Sequence, residues 1–105
     1  MEHPNQTYIN DLSGEDKVFK QKLIDVIKKE FPEEKQAYFD NCNAKNFKLA
    51  ADNVHKLKHK ISILGLEKSY KVAVAYEENL LDNNSNLKEN FEAILDTITN
   101  YLETL

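Results

Sequence analysis

Arginine and tryptophan are missing from this chain, and glycine, proline, cysteine and methionine are scarce, with two, two, one and one copies in 105 residues. Each shortage excludes something. Without arginine there is no planar fork of donors to read bases or grip carboxylates bidentately, and a formal net charge of -4 argues against general nucleic-acid binding. The single cysteine, Cys42, cannot close an internal disulfide and fits a reducing compartment. With no histidine beside it in sequence, it reads as a small hydrophobe near a helix end. Apolar runs such as residues 61–64, which hold Ser62 inside, fall far short of the ~20 residues a membrane span needs. Residues 1–5 lack a basic start followed by an apolar stretch, so a secretory signal is not expected and the cytoplasm is the expected compartment. The chain has the length of one compact domain, and its Leu, Ile, Lys, Glu, Ala and Asn favour long helices over many short strands.

The few breaks that exist divide the chain into helices. After a short helical piece around residues 8–12, Ser13 followed by Gly14-Glu15-Asp16 reads as an N-cap with acids in the first turn. Phe19, Leu23, Val26, Ile27, Phe31 and Tyr38 then recur at helical spacing to about Cys42. Pro32 interrupts this run, but no turn residues flank it, which predicts one kinked helix rather than two. Residues 41–44 form a polar break, and Asn46 caps the next helix, which runs to about Leu64 before Gly65. Another helix is predicted over residues 66–81, with Leu66, Tyr70, Ala73 and Leu80 inward, followed by a loop at 82–86. The last carries Leu87, Phe91, Ile94, Leu95, Ile98, Tyr101, Leu102 and Leu105 as one apolar stripe. The expected fold is all-α: an antiparallel four-helix bundle with a short N-terminal helical extension, one monomeric domain over residues 1–105. Its predicted core includes Phe47, Val54, Leu57, Ile61, Phe91, Ile94 and Ile98.

At ~100° per residue, Phe47, Ala50, Ala51, Val54, Leu57, Ile61 and Leu64 fall within a sector of ~140° on the helix that starts at Asn46. His55 lies about 120° from the centre of that sector, where a side chain clears the core and reaches water. Lys58, His59 and Ser62 continue the same stripe, three, four and seven residues on. An imidazole at a helix flank with an ammonium one turn later is a place where phosphate can be held; the alternative is an ordinary surface histidine. Around it, residues 45–71 hold seven lysines (45, 48, 56, 58, 60, 68 and 71) against Asp52 and Glu67, a local excess of five positive charges. This segment reads as a docking surface for an acidic partner, or as a solvated face with none.

The order of residues 55–66 resembles the signature of histidine-containing phosphotransfer domains: an acceptor His, a hydrophobe two residues on, Lys at the third and Gly ten residues on, here His55, Leu57, Lys58 and Gly65. The resemblance extends to the preceding Ala50-Ala51 pair and to a proline, Pro32, in the helix before. One position departs from the pattern, with His59 where the family usually has a small residue. His55 matches the motif and has Lys58 three residues on, whereas His59 has only Ser62 there, so His55 is assigned as acceptor and His59 as its neighbour.

The resemblance implies a phosphocarrier of a two-component phosphorelay, with no kinase activity and no cofactor of its own. Donor and acceptor would be aspartates of response-regulator receiver domains, which bring their own Mg²⁺, with a hybrid histidine kinase upstream. Such transfers depend on positioning and charge neutralisation. Lys58 would stabilise the phosphate, and His59, Ser62, Lys56, Lys48, Lys45 and Lys68 would face the partner. Two rival readings fit the same residues. His55 and His59 at i and i+4 can chelate an ion from one helical face, but two ligands are few, no HExxH follows, and Cys42 and His3 lie in other segments, so no metal is expected. A helical interaction module that docks on a receiver or kinase without carrying phosphate also fits the sequence.

Overall fold

The structure, a computed structural model, describes residues 2–105; Met1, the first residue of the expected single domain, lies outside them. The described residues contain five helices and no strand: α1 (Thr7–Ser13), α2 (Lys17–Asn43), α3 (Phe47–Ile63), α4 (Glu67–Leu81) and α5 (Lys88–Glu103). The α2 helix sets the shape. Its 27 residues span ~40 Å at 1.5 Å each, and the molecule measures 45 × 24 × 19 Å.

The Asn46 cap and the loop after Leu81 lie where the spacing predicts them, and Asn46 accepts from the Leu49 amide at 3.4 Å, whereas the polar break is displaced: residues 41–43 form the last turn of α2, and only residues 44–46 separate it from α3. Pro32 lies inside an unbroken α2. The start of α2 differs from expectation: its cap is Asp16, which accepts from the Phe19 amide at 3.0 Å, and not Ser13. The Ser13 hydroxyl is committed elsewhere, donating to the Ile9 carbonyl at 2.8 Å at the end of α1. Gly14 follows at a φ of 56°, so the chain turns before α2 can begin.

The core draws on all five helices, with Ile9, Phe31, Leu57, Tyr76 and Phe91 among its fully buried members. Val54, Leu57, Ile61, Phe91 and Ile98 are buried as expected, whereas Phe47 and Ile94 are only partly buried against its edge. Phe19 and Val26 are exposed, at 43% and 49%, despite their helical spacing. The Nζ of Lys60 on α3 meets Glu30 at 3.0 Å, and that of Lys28 meets the carbonyl of Leu105 at 2.7 Å. α3 and α5 therefore end alongside the middle of α2, and its first turns project past them.

Two tyrosines stand in this core with their hydroxyls in contact. Tyr38 and Tyr76 lie 2.6 Å apart, and Tyr38 donates onward to Glu92 at 3.0 Å. Burial pushes both phenols above their ordinary range.

The α3–α4 turn matters most for the site. Gly65, at a φ of 77°, closes a Schellman motif in which the Leu66 amide donates to Ile61 at 3.2 Å and the Gly65 amide to Ser62 at 3.0 Å. The N-terminal segment is clasped across this turn. The Asn5 amide donates to the Leu64 carbonyl at 2.8 Å, and the Glu2 carboxylate accepts from the amides of Lys68 and Ser69 at 2.8 and 2.9 Å. Glu2 thus caps α4, whose own N-cap residue, Leu66, has no side chain to do so. Desolvation opposes ionisation of Glu2, but these donors outweigh it and hold the carboxyl below its ordinary value.

Candidate functional site

Because α3 buries Ala50, Ala51, Val54, Leu57 and Ile61, its opposite flank must face water, and His55 lies there with 53% of its side chain exposed. His59 and Ser62 are exposed along the same stripe. The imidazoles of His55 and His59 stand at 88° to each other with ring centroids 5.1 Å apart.

The neighbouring helix contributes a residue that the sequence reading did not single out. On α4, Glu77 lies between buried Tyr76 and Leu80, which fixes that helix against α3 and leaves Glu77 at the seam. Its Oε2 is 3.2 Å from Nδ1 of His55, and its Oε1 accepts from Nζ of Lys58 at 3.0 Å. Lys58 is also 5.9 Å from the Tyr70 ring centroid, and only 13% of its side chain is exposed. The signal for Glu77 was its spacing of seven from Tyr70, two helical turns on one face.

This arrangement has a chemical consequence. A carboxylate can only accept, so the contact to Nδ1 places the imidazole proton there. In the neutral ring the lone pair then resides on Nε2, the nitrogen away from Glu77. Lys58 holds the same carboxylate from the other side, so His55, Glu77 and Lys58 form one hydrogen-bonded set anchored on two helices.

The other candidates are spread out. Lys45, at a φ of 58°, precedes α3, while Gly65 and Lys68 follow it, so they flank a helix of 17 residues that is ~25 Å long. Lys48 and Lys56 are exposed on α3 itself. Lys60, which contributes to the local positive excess, is instead tied to α2: its Nζ meets Glu30 at 3.0 Å and Glu34 at 3.4 Å, with 12% of its side chain exposed. The buried Oε1 of Glu34 accepts no hydrogen bond, so this ion pair is its compensation. Two of the seven lysines in residues 45–71 are therefore neutralised by partners, and the field around His55 is weaker than the sequence count suggests.

Among the described residues no three or more His, Cys, Asp or Glu side chains form a cluster able to hold a metal ion. No described helix is long and apolar enough to cross a membrane. The chain matches no protein-family model, no curated protein and no solved structure.

Proposed function

We propose that the chain is a cytoplasmic phosphocarrier of the histidine phosphotransfer type, a four-helix bundle with a short N-terminal helix, in which Nε2 of His55 accepts a phosphoryl group from a receiver aspartate and passes it to another. The observation that carries this reading is the contact of Glu77 with Nδ1 of His55, because it leaves the Nε2 lone pair directed outward on an exposed ring.

In the transfer, the Nε2 lone pair attacks phosphorus of the aspartyl phosphate, the bond from phosphorus to the aspartate oxygen breaks, and the carboxylate leaves with that electron pair. Nδ1 keeps its proton, so the phosphorylated ring becomes cationic and faces the Glu77 carboxylate. Lys58, one turn along the same flank, supplies positive charge against the phosphoryl oxygens. Handing the group on is the reverse of these steps. The receiver brings Mg²⁺ and the leaving group, so the carrier needs only an oriented nucleophile, a cation and an open face. Lys48 and Lys56 are exposed and would meet an acidic receiver surface.

Incubation with a phosphorylated receiver domain, followed by detection of phosphohistidine, tests the proposal. His55→Gln should remove the label while the helical spectrum stays unchanged, and His59→Gln should retain it. Labelling of His55→Gln at the wild-type level would overturn the assignment.

A further inference from the structure

The two histidines on α3 are spaced as two metal ligands would be. Imidazoles bound to one tetrahedral ion at a metal–nitrogen distance of ~2.0–2.1 Å have ring centroids roughly 5.2 Å apart. The centroids of His55 and His59 are 5.1 Å apart. His59 is exposed and no partner among the described residues holds it, so its ring can turn about χ2 towards Nε2 of His55 while Glu77 keeps the His55 ring in place. Glu77 supplies what usually accompanies a ligating imidazole, a carboxylate that holds the other ring nitrogen, here Nδ1 of His55 at 3.2 Å. That contact fixes the tautomer in which Nε2 is the ligand atom.

We propose that His55 and His59 form an exchangeable site for a borderline divalent cation such as Zn²⁺, and that the ion and the phosphoryl group compete for Nε2 of His55. The ion takes two protein nitrogens and completes its shell with water, as the absence of a cluster of three ligands among the described residues requires. His59, which replaces the small residue of the family pattern, is then the residue that makes the acceptor sensitive to metal. Zinc binding by the pair stands on geometry alone, whereas the competition rests on the carrier reading.

The experiment is calorimetric titration of Zn²⁺ into the full chain, followed by phosphoryl transfer from a phosphorylated receiver with and without Zn²⁺, the receiver kept saturated with Mg²⁺. One equivalent should bind to the wild type. His55→Gln and His59→Gln should each weaken binding at least tenfold, and Glu77→Gln roughly ten- to hundredfold, as for other carboxylates behind a ligating histidine. His3→Gln should bind as the wild type does. Wild-type affinity in either His55→Gln or His59→Gln overturns the site, as does loss of binding in His3→Gln. In the transfer assay, zinc that blocks the wild type should leave His59→Gln active, and equal transfer by the wild type with and without bound zinc overturns the competition. If the wild type accepts no phosphate even without zinc, the carrier reading fails while the titration still decides the metal site.

Discussion

The carboxylate of Glu77 on α4 meets Nδ1 of His55 on α3 at 3.2 Å, and through its other oxygen it meets Lys58 at 3.0 Å. One acid therefore orients the imidazole of His55 and holds the ammonium of Lys58. An ammonium already paired is less available to steer a distant partner; under the proposed carrier function its charge would act only on a phosphoryl group that arrives beside it.

The first prediction concerns orientation. Glu77→Ala should release Nδ1 and let the neutral ring of His55 populate both tautomers, which nitrogen chemical shifts of labelled histidine report directly. Phosphoryl acceptance should slow by roughly ten- to hundredfold, the range for partners that orient an imidazole, at an unchanged receiver concentration for half-saturation. Glu77→Gln keeps an acceptor oxygen and should lose less. Transfer at the wild-type rate in Glu77→Ala would show that the ring is oriented by something else.

Under the proposed carrier function the lysines separate into three roles. Lys58→Ala should slow transfer even at saturating receiver, because it removes charge beside the phosphoryl position and leaves Glu77 without its cation. Neutralising Lys45, Lys48 or Lys68 should raise the receiver concentration needed, an effect that shrinks as salt screens the wild type too. Lys60→Ala should do neither and should instead lower stability by about 1–3 kcal/mol, because it strands the buried oxygen of Glu34. A transfer time course at two ionic strengths and a urea titration distinguish these outcomes. Full rescue of Lys58→Ala by more receiver would make it a docking residue.

Most of the helical boundaries were legible because punctuation is so sparse: Asn46, Gly65 and the loop at 82–86 have few competitors for the job of ending a helix. The N-cap of α2 was not, since Ser13 and Asp16 are both good caps and the contact of Ser13 with Ile9 decides between them only in three dimensions. On α3, angular counting placed His55 at the flank and Leu57 in the core, because both follow from periodicity on one helix. The spacing from Tyr70 could put Glu77 on the inward side of α4, but both its contact with His55 and the Lys60 ion pairs lay beyond such counting. They depend on which helix packs beside α3 and in what register, and periodicity fixes neither.

Gly65 is expected to resist substitution for two reasons that add. At a φ of 77° an alanine is strained, and its Cβ would lie 2.5–2.8 Å from side-chain atoms of Asn5. Gly65→Ala should cost about 1–3 kcal/mol from the backbone alone and should displace the N-terminal clasp. Amide hydrogen exchange reads the second effect: the amides of Lys68 and Ser69, which Glu2 protects, should exchange faster. Unchanged protection at those two positions would mean that Asn5 can move aside without releasing Glu2.

The last prediction uses the buried tyrosine pair. Burial raises the pKa of both Tyr38 and Tyr76 in the folded protein, while in the unfolded chain a phenol titrates near its reference value of ~10. A raised acid binds its proton more tightly when folded. Its contribution is therefore complete below pH ~10 and is lost as pH rises above it, by about 1.4 kcal/mol per pH unit for each such phenol. The difference between wild type and variant is the informative quantity, because whatever else changes with pH is common to both. Tyr76→Phe should remove one phenol from this alkaline loss and cost about 1 kcal/mol near neutral pH for the hydrogen bond. Tyr38→Phe should cost more near neutral pH, about 1–3 kcal/mol, because it leaves both the Tyr76 hydroxyl and the Glu92 carboxylate without their shared partner. Urea unfolding of the three proteins at pH 7 and at about pH 11 measures both effects. Equal alkaline losses in all three would show that the phenols remain neutral through that range in the unfolded chain as well, or that they ionise without unfolding the core, and either result removes the tyrosine pair as the origin of the pH dependence.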